Sequence, residues 1–192
     1  TLDIFLSPNI HFTSLSKNTK HILTIHDLSF EYFPDCYSWK RRLWHKVVNP
    51  RRQCKEADLI LTPSENTKQD VVGEYKVGNE KVSVVRPGVV KCEIQDTSDL
   101  TEKYNLPEKF ILFLGTIEPR KNITALIEAY KKSKLLIDNC SLIIAGAKGW
   151  KSKSIMQAIE QTTGVEYIGY VDREDKAALY NMAELFVYPS LY

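Results

Sequence analysis

The chain has 192 residues, 43% of them hydrophobic and 26% charged, with a formal net charge of +2. This is the composition of a folded globular protein, not of a disordered one, and the charge is too small and too dispersed for a nucleic-acid surface. No apolar run approaches the ~20 residues that span a bilayer, and Thr1-Leu2-Asp3 lacks the basic start of a secretory signal.

Taken in chain order, short apolar runs predict strands at 3–7 and 21–26. A helix over 38–56 follows, carrying Trp39, Lys40, Arg41, Arg42, Trp44 and Lys46. Residues 58–62 predict a third strand. Ser64, with Glu65 behind it, caps a helix over 65–75. Residues 81–86 predict a fourth strand. The rhythm then breaks over 91–107, a polar stretch with no clean period that reads as a linker. A strand at 110–116 leads to a helix over 122–136, with Asn122 as its cap and Leu126, Ile127 and Tyr130 facing inward. Strands at 141–145, 166–170 and 184–188 alternate with helices at 151–163 and 174–183.

Several of these strands are apolar almost throughout, such as Leu142-Ile143-Ile144-Ala145. Strands of that kind are buried on both faces, as in parallel sheets covered by helices. The alternation therefore predicts an α/β fold of two units, 1–90 and 108–192, joined by the linker. Ligands of open α/β sheets sit beyond the carboxyl ends of the strands, so two facing units would enclose a cleft. Cysteines 36, 54, 92 and 140 form no CxxC, which favours buried thiols of a cytosolic protein over a zinc or redox motif.

The segment with most chemical content is Gly115-Thr116-Ile117-Glu118-Pro119-Arg120-Lys121-Asn122. It follows an apolar strand and opens a helix. Glycine allows close approach of a ligand to the backbone, the helix start offers N–H groups and a positive dipole end, and Arg120 and Lys121 add two cations. The group suits a diphosphate. The same residues also fit a surface turn with two solvated cations, and chemistry alone leaves both open. No G-x-G-x-x-G follows any strand and no G-x-x-x-x-G-K-[ST] occurs, which argues against a nicotinamide dehydrogenase and a P-loop nucleotidase.

This loop resembles the G-x-x-x-x-R-K-N loop of family 4 glycosyltransferases, which have the GT-B fold of two Rossmann-like domains. Ile25-His26-Asp27-Leu28, Asp58-Leu59-Ile60-Leu61-Thr62-Pro63-Ser64-Glu65, Val84-Val85-Arg86-Pro87-Gly88-Val89, Tyr167-Ile168-Gly169-Tyr170-Val171 and Phe186-Val187-Tyr188-Pro189-Ser190 resemble further family segments in the same order. The resemblance implies an α/β GT-B type chain with both parallel-sheet domains incomplete. Residues 1–90 correspond to the later part of the acceptor-side domain. Residues 108–192 correspond to the earlier part of the donor domain, with 91–107 between them.

By the same resemblance, Arg120 and Lys121 bind the donor diphosphate and Gly115 lets it approach. The backbone at Tyr170 and Val171 lies along the nucleotide base, and His26 reaches the transferred sugar across the cleft. A hydrogen-bonded or core histidine is the other reading of His26, and Asp27 reads as a capping carboxylate. No chemical step falls to Glu118. The implied activity is hexosyl transfer, with retention, from a nucleoside-diphosphate sugar to a glycan or lipid-linked acceptor, with no metal and no other cofactor.

The Glu-Pro-Arg-Lys-Asn form of the loop resembles mannosyl- and rhamnosyl-transferring members. A non-catalytic GT-B subunit that binds a nucleotide sugar or a partner enzyme is the alternative. The basic, aromatic segment 39–52 is either a solvated helix face or a peripheral contact with the inner face of the membrane. Both chain ends read as interior points of a longer polypeptide. The family's glycine-rich first loop would precede Thr1 and its paired glutamates would follow Tyr192, so we expect these 192 residues alone to be inactive.

Overall fold

A computed structural model describes residues 2–16, 18–89, 98–133 and 139–192. The chain forms two compact units, Thr1–Val89 and Val90–Tyr192. Among the described residues, no helix is long and apolar enough to cross a membrane.

In the first unit, strands β1 (Ile4–Ser7), β2 (Lys20–Thr24), β3 (Leu59–Thr62) and β4 (Val82–Val84) form a parallel sheet in the order β1-β2-β3-β4. Helices α1 (Ser29–Tyr32), α2 (Trp39–Val48), α3 (Pro50–Glu56) and α4 (Glu65–Tyr75) connect them. Leu23, Ile25, Leu28, Ile60, Val71 and Tyr75 form the core and are almost completely excluded from solvent. Each such aliphatic side chain stabilises by about 1.5–3 kcal/mol. Ser64 caps α4 as expected, its hydroxyl accepting from the Thr67 N–H at 3.1 Å.

The expected helix over 38–56 is two helices. Asn49 takes the left-handed conformation (φ 53°), its N–H bonds the His45 carbonyl to close α2, and its side chain accepts from the Arg52 N–H to open α3. Pro50 enters at the first position of α3, where its missing N–H costs nothing. Helix α1 was not expected. Its first N–H, from Ser29, donates to the Asp27 carboxylate at 2.9 Å, while the cap position itself is Leu28.

Side chains tie the last residue of β1 to the amino-terminal ends of β2 and β3. Ser7 Oγ lies 2.8 Å from His21 Nε2 in a buried pair. Asp58 accepts from the His21 N–H and from Lys20 Nζ, each at 2.8 Å. Burial lowers the pKa of His21, and burial among Phe30, Tyr37 and Trp44 does the same for His45.

In the second unit, α5 (Ser98–Tyr104) precedes β5 (Lys109–Leu114), α6 (Ile123–Lys132), β6 (Cys140–Ala145), α7 (Lys153–Glu160), β7 (Val165–Gly169), α8 (Lys176–Met182) and β8 (Leu185–Phe186). The strands are parallel in the order β7-β6-β5-β8. Phe113, Ile117, Ile123, Ile127, Leu142 and Ile144 pack one face of this sheet, while Phe110, Leu112, Ile143, Val171 and Leu179 pack the other. The expected linker 91–107 therefore contains a helix. Lys103 on α5 pairs with Asp172 and Asp175, and Tyr104 donates to Asp175, which anchors α5 to the loop before α8. The rest of that linker to residue 97, and 134–136 of the expected helix 122–136, lie outside the described residues.

Gly146 combines a positive φ of 131° with a backbone contact: a Cβ there would lie 2.0 Å from the Gly115 carbonyl oxygen. Gly73, inside α4, has open space around its missing Cβ. We expect Gly146→Ala to destabilise the second unit by about 2 kcal/mol or more, and Gly73→Ala to stabilise the first by about 0.5–1 kcal/mol. Urea titrations would show midpoints moving in opposite directions. The two histidines give a pH dependence. Each has a lowered folded pKa, so the unfolded chain binds protons first on acidification. Stability of the first unit is then full above about pH 6.5 and falls as pH drops below it. Melting His21→Gln and His45→Gln at about pH 7.5 and pH 5.5 should show a smaller loss than in the parent protein.

Candidate functional site

The carboxyl ends of β5, β6 and β7 meet through their backbones. The Gly115 N–H donates to the Ala145 carbonyl at 2.9 Å and the Gly146 N–H to the Gly169 carbonyl at 2.6 Å. Beyond β5, the Ile117 N–H reaches the Ala147 carbonyl at 2.9 Å, and Ile117 returns its carbonyl to the Gly149 N–H at 3.0 Å. The loop after β5 is thereby fixed against the loop after β6. Ile117 is fully buried and anchors this crossing.

From there the chain makes one 3₁₀ turn, Pro119–Lys121, before α6 begins. Arg120 and Lys121 sit on that turn instead of in the first turn of the helix. Asn122 occupies the cap position, but in the left-handed conformation (φ 56°) and without a side-chain capping bond. Its carbonyl accepts from Ala125 and Leu126 N–H groups instead. The N–H groups of the first helical residues point out of the amino end of α6, beside the two cations.

The cations are held differently. Arg120 Nη2 lies 2.9 Å from Glu118 Oε1. The Glu118 side chain is 2% exposed and that of Arg120 17%. Nη1 of Arg120 points to the Tyr192 carbonyl at 3.5 Å, while the Arg120 carbonyl accepts from the Leu191 N–H at 2.9 Å and from Ser190 Oγ at 3.3 Å. Lys121 Nζ stands 4.6 Å above the ring of Tyr188, a cation–π contact. Among the described residues Lys121 has no carboxylate partner, so the loop's uncompensated positive charge is at this ammonium.

Tyr188 also explains Gly115. A Cβ on Gly115 would lie 3.0 Å from the Tyr188 ring and 3.2 Å from its hydroxyl oxygen. The ring is stacked on Phe113 at 5.4 Å, so it cannot easily withdraw. The absent side chain therefore makes room for Tyr188 within the protein, in addition to any space left for a ligand.

Of the residues expected beside the nucleotide base, Tyr170 is exposed, with Lys176 Nζ 5.8 Å from its ring centre. Val171 is buried in the core with Phe110 and Leu179, so only its backbone can meet a ligand. Gly115, Arg120 and Lys121 share the β5–α6 connection, and Tyr170 and Val171 follow β7 at the same sheet end. His26 belongs to the first unit. It is exposed two residues beyond β2, and its Nε2 lies 2.9 Å from the Pro8 carbonyl just beyond β1. It is thus not a core histidine. A carbonyl only accepts, so Nε2 carries the proton and Nδ1 is the acceptor in the neutral ring.

Residues 96–192 match the family model Glycosyl transferases group 1, and residues 4–90 match Glycosyltransferase Family 4. The chain belongs to the Glycosyl transferases group 1 family, with the Family 4 match over its first unit. The O-antigen chain mannosyltransferase B of Escherichia coli is 28% identical over 98% of this chain and 51% of its own length. The O-antigen chain mannosyltransferase RfbU of Salmonella typhimurium is 29% identical over 94% of the chain and 48% of its own length. This glycosyltransferase chain thus spans about half the length of these curated relatives. The crystal structure of Anabaena Alr3699/HepE in complex with UDP and glucose superposes with a TM-score of 0.62 at 19% identity, covering 90% of this chain and 46% of that one. That likeness carries the fold, which is GT-B.

Glu118 and Tyr188 were given no role from the sequence, yet they hold the two cations of this glycosyltransferase loop. Removing one partner of a buried ion pair strands the other. We expect Glu118→Ala to destabilise the second unit by about 3 kcal/mol, and Lys121→Ala to cost no more than about 1 kcal/mol through its lost aromatic contact. Equal denaturation midpoints for the two variants would remove the distinction between a cation paired with a buried carboxylate and one held by an aromatic face.

Proposed function

We propose that the protein transfers a hexose, of the mannose or rhamnose type, from a nucleoside-diphosphate sugar to a glycan or lipid-linked acceptor, with retention at the anomeric carbon. The observation that carries this reading is the turn at Arg120 and Lys121, fixed at the carboxyl end of β5 beside the start of α6. Cleavage of the sugar–phosphate bond builds negative charge on the departing diphosphate. Charges held in place before the reaction stabilise it without reorganising.

Lys121 supplies the uncompensated charge. Arg120, oriented by Glu118, supplies a guanidinium whose Nη1 would exchange its long contact with the Tyr192 carbonyl for a phosphate oxygen. These cations do the work that a divalent metal does in other transferases, and we propose that none is required. The backbone at Tyr170 and Val171 receives the base. His26, with Nε2–H tied to Pro8, presents its other nitrogen to the transferred sugar. The names of the relatives, O-antigen mannosyltransferases, support mannose and a polysaccharide product. The acceptor side includes peripheral contact with the inner face of the membrane through the 39–52 segment.

Titration of the full-length protein with GDP, UDP and their sugar conjugates by calorimetry tests this. Arg120→Ala and Lys121→Ala should each weaken the preferred nucleotide about tenfold or more. Unaltered affinity in both variants would take the diphosphate away from this loop.

A further inference from the structure

Helix α2 exposes an apolar row that its fold leaves uncovered. Trp39, Leu43 and Val47 are spaced four apart, so they stand above one another on one face. They are 68%, 52% and 60% exposed. Arg42 and Lys46, also four apart, form the adjoining strip. They line a pocket of about 490 Å³ walled by Phe30 of α1, His45 of α2, and Asn49 and Arg51 at the start of α3.

Three cations, Arg42, Lys46 and Arg51, thus face one cavity beside an apolar ridge. Arg51 is fixed there: its Nη2 donates to the Glu74 carbonyl at 2.9 Å and its guanidinium lies 5.6 Å from the Tyr75 ring centre. The one carboxylate on the wall, Glu31, accepts from the Tyr75 hydroxyl at 3.0 Å. Arg42 pairs with Asp35 at 3.5 Å, but both side chains are more than half exposed, and such a pair is easily exchanged for another anion.

We propose that this face of α2 docks on an anionic bilayer, with Trp39, Leu43 and Val47 at the acyl boundary and a lipid phosphate headgroup seated between Arg42, Lys46 and Arg51. A protein partner would have to match both features by its own sequence. A phospholipid carries an anion and an apolar chain in one molecule, at the separation of a ridge and a neighbouring pocket. The proposal rests on the peripheral contact stated above and specifies which residues make it. The donor loop plays no part in it.

The test is flotation of the full-length protein with phosphatidylcholine vesicles, with and without phosphatidylglycerol. Binding is expected only with phosphatidylglycerol. Arg42→Ala with Lys46→Ala should weaken it about twenty-five-fold, about fivefold per charge. Leu43→Ser with Val47→Ser should weaken it in a way that added salt does not mimic. All variants should keep the parent affinity for nucleotide in calorimetry, which shows that they are folded and reads the donor site separately. Unchanged flotation of the Arg42/Lys46 variant overturns the proposal. Displacement by soluble glycerol phosphate overturns it in favour of a soluble ligand. A change of oligomeric state in the Leu43/Val47 variant, with vesicle binding intact, overturns it in favour of a second copy of the chain.

Discussion

At the carboxyl end of the second sheet, the Gly115 carbonyl lies where a side chain on Gly146 would have to begin. The glycine at 146 lets the backbones just beyond β5 and β6 approach this closely. The hydrogen bonds from Gly115 to Ala145 and from Gly146 to Gly169 are the result. Because the strands stop together, the loops that follow start from one fixed edge. The β5 loop is then pinned a second time by the exchange between Ile117 and the Ala147 and Gly149 backbones. The positions of Arg120 and Lys121 follow from that pinning, since only two residues separate Ile117 from Arg120.

Two neighbouring cations repel, and each needs a stabilising neighbour before any ligand arrives. The protein uses two different ones. A buried carboxylate holds the arginine, which fixes a planar donor but cancels its charge. An aromatic face holds the lysine, which keeps the charge in place without cancelling it. The division matters for an anionic leaving group. In the proposed reaction, geometry would come from the neutralised member and field from the uncompensated one. Both partners arrive from positions that the backbone constrains tightly: Glu118 directly follows the buried Ile117, and Tyr188 is wedged between Phe113 and the space left by Gly115.

Much of this was legible in the sequence. The eight strands among the described residues were expected where they occur, and the clearest, β5 and β6, are buried on both faces and leave apolar runs that no loop imitates. The glycine and the two cations of the β5 loop were also legible, as local chemistry. Tyr188 was not. It meets Gly115 from 73 residues away through the pairing of β5 with β8, and strand order is not written in local pattern. Glu118 was seen but left without a role, since a carboxylate beside two cations reads as a solvated charge until its burial is known. Helix α5 hid within a polar stretch of no clear period, where its contacts to Asp172 and Asp175 decide its conformation more than its own residues do.

The break between α2 and α3 shows how a helix boundary changes the shape of a surface. Read as one helix over 38–56, the segment would place its arginines and lysines along a single continuous rod, with no cavity for them to share. Asn49 instead turns the chain through a left-handed residue, and Pro50 restarts it in a new direction. Arg51 then comes to the same cavity as Arg42 and Lys46, from a second helix and at a fixed position over Tyr75. Two cations on one helix are a stripe, while a third from another helix closes a pocket. A residue able to adopt positive φ, followed by a proline, is the sequence signal for such a corner. At Asn49-Pro50 it separates a merely basic surface from one with the shape to hold an anion.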